Sequence, residues 1–277
     1  METYPDMLKQ RIGFIGAGQM ALALAKGFVG AGLTSGDKLI ASDPSAVARD
    51  RFAEATDAKT STDNSEVVDI ADVIFLAVKP HHIKAVAAEI ASKVDSQKLI
   101  VSIAAGARLS VLTKVIGDNA RIVRIMPNTP CLIGEGACGY CLSEKATEED
   151  DKLVEQMLRA VGISFKVNEN LMDAITGLSG SGPAYAFQII EALSDGGVKM
   201  GLPRNVATVL AAQTLKGASE MVLRLKEHPS VLKDKIASPG GTTIAGLHAL
   251  ESAGHRGALI TAIQAATEKS IELGKKN

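Results

Sequence analysis

The chain has 277 residues, 46% of them hydrophobic, no tryptophan, and a formal net charge of −1. A near-neutral chain has no basic field for nucleic acid, so no nucleic-acid partner is expected. No apolar run reaches the roughly 20 residues that a membrane-spanning helix needs, and the N-terminal residues lack the order of a secretory signal. The sequence therefore predicts a cytoplasmic protein of two domains with no membrane partner.

A glycine-rich turn follows the first apolar run. Residues 12–15 lead into Gly16-Ala17-Gly18-Gln19-Met20 and then into a helical pattern, with Ala21 at the third position of the G-x-G-x-x-G/A fingerprint. Gly16 suits a sharp turn, and Gly18 lets a pyrophosphate approach the N–H groups that open the helix. The pattern alone also fits a glycine turn without a ligand, and the residues downstream favour a dinucleotide site.

Asp43 ends a second apolar run, about two dozen residues after the glycines. A carboxylate there can accept hydrogen bonds from the adenine ribose, whereas serine or arginine better tolerates a 2′-phosphate. Ser42, Ser45 and Arg49 lie close in sequence, so both NADH and NADPH stay open. Asp43 is also well placed to form an Asx turn or a helix cap before Pro44.

Three further runs, at residues 73–78, 99–103 and 122–126, are continuously apolar, as in parallel strands covered on both faces. Together with the first two runs they predict an α/β fold with a Rossmann-type sheet. Loops at the carboxyl ends of such strands line the ligand crevice. Lys79 therefore fits either a ligand contact or a solvated position, and Pro80 is expected in the first turn of a helix that continues to Val94.

Cys131, Cys138 and Cys141 are an odd number of cysteines, which argues against a disulfide framework. Cys138 and Cys141 form a C-x-x-C within a run typical of a strand. A zinc site would need two more ligands, and a redox pair would sit at a helix start. The sequence predicts buried structural thiols and no metal site.

Strand-like runs end near residue 168, and helical spacing follows. We therefore predict a dinucleotide-binding domain at residues 1–167 and an all-α dimerisation and substrate domain at residues 168–277. The later helices are apolar on more than one side, which favours a core completed by a second chain.

The helical part contains a second glycine-rich loop, Ser238-Pro-Gly-Gly-Thr-Thr-Ile244, just before a helix. Its N–H groups and hydroxyls suit a small carboxylate. The alternative is that Thr242 or Thr243 simply caps the helix.

Six stretches in this order resemble the pyrroline-5-carboxylate reductase family, and the resemblance covers nearly the whole chain. The three nearest the C-terminus are the most specific. They are Phe14-Ile-Gly-Ala-Gly-Gln-Met20, Ala77-Val-Lys-Pro80, Met126-Pro-Asn-Thr-Pro130, Leu178-Ser-Gly-Ser-Gly-Pro-Ala-Tyr185, Asp195-Gly-Gly-Val-Lys-Met-Gly-Leu-Pro203 and Ser238-Pro-Gly-Gly-Thr-Thr-Ile244.

The resemblance implies reduction of (S)-1-pyrroline-5-carboxylate to L-proline with NADPH or NADH, at a site on the dimer interface. It also implies a homo-oligomer built from dimers, with a decamer as one such assembly. The cofactor would contact residues from the glycine-rich turn and the strand ends: Gly16, Ala17, Gly18, Gln19, Met20, Asp43, Asn64, Ala77, Val78, Lys79, Pro80, Ala104 and Ala105. The substrate carboxylate would contact Ser238, Gly240, Gly241, Thr242 and Thr243.

A cyclic imine needs a hydride at its carbon, a proton at its nitrogen and a clamp for its carboxylate. Thr243 is the candidate hydroxyl for the ring nitrogen, with Thr176 second. Two other functions stay open: a hydroxy-acid dehydrogenase, which would need a lysine or histidine that residues 171–183 lack, and a non-enzymatic dinucleotide sensor, for which the second loop would be superfluous.

Overall fold

The computed structural model describes the backbone of residues 7–276 and the side chains of residues 7–275. Residues 1–6, which contribute to the expected absence of a secretory signal, lie outside that range. The strands are β1 Ile12–Ile15, β2 Leu39–Ser42, β3 Lys59–Ser61, β4 Val73–Leu76, β5 Leu99–Ser102, β6 Arg121–Met126, β7 Gly136–Leu142 and β8 Gly162–Lys166.

Twelve α-helices lie within the described residues. They are α1 Gln19–Gly30, α2 Ala46–Thr56, α3 Asn64–Ile70, α4 Ile83–Ile90, α5 Leu109–Ile116, α6 Glu148–Arg159, α7 Met172–Ile175, α8 Gly182–Lys199, α9 Arg204–Leu225, α10 Pro229–Lys235, α11 Thr242–Ser252 and α12 His255–Lys276.

The eight strands form one sheet in the order β3-β2-β1-β4-β5-β6-β7-β8. Neighbours from β3 to β6 are parallel, whereas β7 runs antiparallel to β6 and β8 runs parallel to β7. The chain order reverses between β1 and β4, and such a switch point opens a crevice at the carboxyl ends of the strands. The predicted α/β fold with a Rossmann-type sheet is confirmed.

Both faces of the sheet are covered by apolar side chains. On one face Phe14, Phe28, Phe52 and Phe75 are fully buried, and the rings of Phe14 and Phe75 stack with centroids 4.8 Å apart. The other face carries aliphatic residues from α3, α4 and α5. This double coverage explains why the strands read as continuous apolar runs.

Two helix starts differ in how the sequence specifies them. Thr147 caps α6 and forms a capping box with Asp150, as a hydroxyl before an acidic first turn predicts. Pro80 instead begins a separate 3₁₀ turn, Pro80–His82, and α4 starts only at Ile83 and ends at Ile90. The expected single helix from Pro80 to Val94 is therefore wrong, because short 3₁₀ turns replace both of its ends.

The described chain divides into two compact units. The nucleotide unit comprises the residues up to Ser181 and those from Gln264 onward, and the helical unit comprises Gly182–Ile263. Within the nucleotide unit, Ser270 of α12 donates a hydrogen bond to Asp173 of α7 at 2.7 Å. The predicted functional boundary at residue 168 stays a prediction.

The helical unit buries few of its own side chains. Ser194, Ala207 and Ala211 are buried, whereas Phe187 is 65% exposed and Met200 82% exposed. Among the described helices, none combines the length and the apolar character needed to cross a membrane.

Candidate functional site

The glycine-rich turn joins β1 to α1 at the switch point of the sheet. Gly16 has φ +98°, and a Cβ added to it would lie 2.7 Å from the carbonyl oxygen of Ala77. Its N–H donates to the carbonyl of Ser42 at 2.7 Å. Only glycine fits this position, because it tolerates both the left-handed backbone and the close approach of the β4 loop.

The N-terminus of α1 lies open beside this turn. Gly18 is the N-cap, and no side chain caps the helix. A Cβ built on Gly18 would meet no atom within 4 Å, and Gln19 is exposed. The first N–H groups of the helix therefore keep their donors and the positive end of the dipole for an anion.

Asp43 follows β2, and both of its carboxylate oxygens are hydrogen-bonded. Oδ2 accepts from the N–H of Ala17 at 2.9 Å, and Oδ1 accepts from the N–H of Ser45 at 2.8 Å. The bond to Ser45 is the Asx turn that the sequence allowed. Asp43 does not cap α2, because Ser45 is the N-cap and accepts from Ala48. Asp43 thus joins the glycine-rich turn to the end of β2.

Asn64 is brought against Ser42, the residue before Asp43, by the start of α3. Its side-chain oxygen accepts from the hydroxyl of Ser42 at 2.7 Å, and its amide nitrogen lies 3.1 and 3.2 Å from the two carboxylate oxygens of Glu89. Ser42, Asp43 and Asn64 therefore lie together beyond the carboxyl end of β2, where the adenosine half of a dinucleotide is expected.

The loops after β4 and β5 continue the same edge. Ala77 and Val78 are partly exposed, Pro80 is partly exposed, and Lys79 is exposed. Lys79 forms no ion pair with any described residue, which leaves its ammonium available. Ala104 is buried and Ala105 is partly exposed in the loop that follows β5.

Thr176 lies at the start of a π-helical turn, Thr176–Gly180, which the sequence analysis did not predict. The N–H of Ser181 donates to the carbonyl of Thr176, and the hydroxyl of Thr176 donates to the carbonyl of Met172 at 2.9 Å. Single π-turns are frequent at functional sites. With its hydrogen used, the Thr176 hydroxyl is left as a hydrogen-bond acceptor.

Two buried side chains that were not predicted as site residues lie at this point: Asn128 holds the π-helical turn, and Arg124 is paired with residues just before it. Asn128 donates to the carbonyl of Ser179 and accepts from the N–H of Ala137, both at 3.0 Å. Arg124, 3% exposed, pairs with Glu169 and Asp173. Arg124 stands within the apolar run of β6, and this position could have identified it from the sequence. A buried charge requires partners, so an arginine there predicts buried carboxylates beside it.

The second loop, Ser238–Gly241, lies in the helical unit and opens α11. Gly240 has φ +64°, and Gly241 is the N-cap. No side chain caps the helix, so the alternative that Thr242 or Thr243 is a cap is wrong. Thr243 is partly exposed, and no described residue hydrogen-bonds to its hydroxyl. The loop presents hydroxyls and N–H groups together, and the N–H of Gly241 is already donated to the carbonyl of Ser238 at 3.1 Å.

The two cysteines in contact are not the two that form the C-x-x-C in the sequence. The sulfurs of Cys131 and Cys138 lie 3.7 Å apart, whereas Cys138 and Cys141 belong to opposite faces of the sheet. The hydrogen bond between the two thiols lowers the pKa of Cys131 and raises that of Cys138. All three are free and buried, as predicted. No three His, Cys, Asp or Glu side chains among the described residues are grouped to hold a metal.

Comparison with known proteins gives the family. Residues 169–273 match the model for pyrroline-5-carboxylate reductase dimerisation, and residues 11–106 match that for NADP oxidoreductase, coenzyme F420-dependent. Pyrroline-5-carboxylate reductase 2 of Bos taurus is 47% identical over 95% of this chain and 83% of its own. The enzyme of Methanosarcina acetivorans is 44% identical over 98% of this chain and all of its own.

A solved structure is similar throughout. The Plasmodium falciparum pyrroline carboxylate reductase with NADP bound has a TM-score of 0.89 and 38% identity, over 97% of this chain and 99% of its own. Both the nucleotide unit and the helical unit are thus matched in sequence and in fold. This chain belongs to the pyrroline-5-carboxylate reductase family.

Proposed function

We propose that this protein is a pyrroline-5-carboxylate reductase, which reduces (S)-1-pyrroline-5-carboxylate to L-proline with NADPH or NADH, the final step of proline biosynthesis. The observation that supports this most is the 44% identity to the Methanosarcina acetivorans enzyme over its entire length. A shared Rossmann-type sheet alone would support only the nucleotide, because that fold serves many reactions.

The nucleotide unit fits a dinucleotide. The left-handed Gly16 and the open space beside Gly18 form a cradle that a Cβ would fill, and the uncapped start of α1 offers donors to a pyrophosphate. Ala17, Gln19 and Met20 complete this segment. Asp43 and Asn64 are assigned to the adenosine, and Ala77 to Pro80 with Ala104 and Ala105 to the rest of the cofactor.

A nicotinamide nucleotide held by these residues would supply the hydride for the imine carbon. The chain's own residues hold the substrate: Ser238, Gly240, Gly241 and Thr242 are assigned to its carboxylate, through the N–H groups and hydroxyls of the second loop. Such a clamp raises the rate by orienting the imine, since preorganised geometry removes part of the entropy barrier.

Thr243 is assigned to the ring nitrogen. A neutral hydroxyl is a weak acid, so its role is positional, and solvent or an already protonated iminium supplies the proton. Thr176 is the second candidate, but its hydrogen is donated to the carbonyl of Met172. It therefore serves as an acceptor from an iminium N–H rather than as a donor.

The assembly is a homo-oligomer through the helical domain, built from dimers that join into a decamer. The match to a dimerisation model over residues 169–273 and the exposed apolar side chains of the helical unit support the dimer. We assign residues 1–167 to cofactor binding and residues 168–277 to dimerisation and substrate, with a cytoplasmic location.

Pyrroline-dependent oxidation of NADPH and NADH tests this function. A hydroxy-acid dehydrogenase would oxidise neither NADPH nor NADH when the cyclic imine is the substrate. A dinucleotide sensor would bind both nucleotides but would not oxidise them. Activity with a 2-hydroxy acid instead of the imine would reject the proposal.

Thr243→Ala tests the loop. We expect kcat/KM to fall roughly 10- to 1,000-fold, as for the loss of one well-placed hydrogen bond in a transition state. Thr243→Ser keeps the hydroxyl and should retain most activity. Equal activity of the alanine and serine variants would show that the hydroxyl of Thr243 has no role in the reaction.

A further inference from the structure

A chain of hydrogen bonds links three side chains at the adenosine end of the nucleotide unit. The hydroxyl of Ser42 donates to Asn64, and the amide of Asn64 donates to Glu89 of α4. Glu89 belongs to none of the motifs, and its chemistry is not used by the proposed reaction. It is 25 residues from Asn64 in sequence, so the contact emerges only from packing of α3 against α4.

The direction of these bonds is fixed by chemistry. An ionised carboxylate only accepts, so Glu89 must face the NH₂ group of Asn64 rather than its oxygen. The oxygen then accepts from Ser42, whose side chain is fully buried. Asn64 is therefore held in one orientation, with its donor group directed at Glu89.

The charges around this position are mostly negative. Asp43 is held by the N–H groups of Ala17 and Ser45, and Asp63 accepts from the N–H of Ser65 just before Asn64. Two cations also lie in this region: the guanidinium of Arg49 donates to the backbone carbonyls of Asp43 and Pro44, and Lys59 pairs with Glu66 of α3. Glu89 adds a further carboxylate and faces Asn64 directly.

We propose that Glu89 is a positioning residue that sets nucleotide choice by holding the Asn64 amide and disfavouring a 2′-phosphate. The proposal rests on the proposed function. A ribose 2′-hydroxyl can donate to one neighbour and accept from another, so it tolerates Glu89. A 2′-phosphate only accepts when doubly ionised, competes with Glu89 for the same N–H groups, and meets like charge.

The test compares Glu89→Gln with wild type in kcat/KM for NADPH and NADH. Glutamine keeps an acceptor for Asn64 and removes the charge. We expect the NADPH to NADH ratio to rise about three- to tenfold, through a lower KM for NADPH with kcat unchanged, the size expected of one partly screened charge. Glu155→Gln removes the same charge from α6, where Glu155 pairs with Arg159, and should leave the ratio unchanged.

Binding of nucleotide fragments provides a readout without turnover. By calorimetry, Glu89→Gln should bind 2′,5′-ADP more tightly and 5′-AMP as before. An unchanged ratio together with unchanged 2′,5′-ADP affinity would overturn the proposal, and so would an equal loss for both nucleotides, which marks a purely structural role. If wild type binds these fragments but does not reduce the imine, the proposed function fails while the role of Glu89 is still decided.

Discussion

The two units differ in where their apolar side chains lie. In the nucleotide unit, Phe14 and Phe75 are fully buried by residues of the same chain. In the helical unit, Phe187 and Met200 are largely exposed in the single chain. The first unit completes its own core, whereas the second presents a surface that requires another chain. A charge introduced at an exposed apolar position should therefore disrupt assembly when it lies in the helical unit, and have little effect when it lies in the nucleotide unit.

Phe187→Glu should give the largest effect. A charge on an apolar surface that a second chain covers costs several kcal/mol, because it would be desolvated without a partner. We expect a single-chain mass by light scattering and loss of nearly all activity. Val47→Glu is the control for the mass measurement, since Val47 is an aliphatic, 78% exposed residue of the nucleotide unit. An unchanged mass for Phe187→Glu would contradict the comparison.

Two glycines of the nucleotide unit, one in the turn and one in a helix, sharpen the comparison of the units. Gly16→Ala places a Cβ against Ala77 on a left-handed backbone, which costs about 1–3 kcal/mol and closes the cradle. We expect affinity for both nucleotides to fall about 100-fold or more, a change of ~2.7 kcal/mol. Gly30→Ala, in α1 with open space around it, should bind nucleotide as wild type does. Calorimetric titration with NADH separates them.

Much of the nucleotide unit was predictable from sequence, because local signals coincide there. Continuous apolar runs predicted β1, β2, β4, β5 and β6, and the turn at Gly16 predicted the strand-turn-helix unit. The polar strand β3, Lys59–Ser61, has no such signal, and the strand order came from the structure. The π-turn at Thr176 was not predictable, since it depends on tertiary bonds from Asn128. Similarly, the partner of Cys138 is Cys131 rather than Cys141, because alternate residues of a strand face opposite sides.

Asp43→Ser gives a smaller effect, confined to nucleotide choice. Serine removes a carboxylate beside the ribose, so we expect the NADPH to NADH ratio of kcat/KM to rise about tenfold, which corresponds to ~1.4 kcal/mol. Because Asp43 also holds the N–H groups of Ala17 and Ser45, KM for NADH should rise as well. An unchanged NADPH to NADH ratio would mean that Asp43 forms the Asx turn but does not affect nucleotide choice.

Cys141→Ala gives the smallest effect, in the core of the nucleotide unit. Burial, with a lesser contribution from the charge of Glu169, raises the pKa of Cys141 from 9.0 to about 12. The folded protein therefore holds the thiol proton more tightly than the unfolded chain does. The contribution of this proton to the free energy of unfolding is complete below pH 9.0 and is lost as pH rises towards 12. Urea midpoints between pH 8 and 10 should fall more steeply in wild type than in the variant. Parallel slopes would contradict this.

The course of the chain has a consequence for dissecting the protein. The chain leaves the nucleotide unit after Ser181 and returns at Gln264, so the helical unit is an insertion within it rather than an appendage. A single proteolytic cut cannot release an intact nucleotide unit. A fragment that stops at residue 181 lacks Ser270, and with it the bond to Asp173 below the π-turn. An isolated nucleotide-binding fragment would have to rejoin its two segments through an artificial linker.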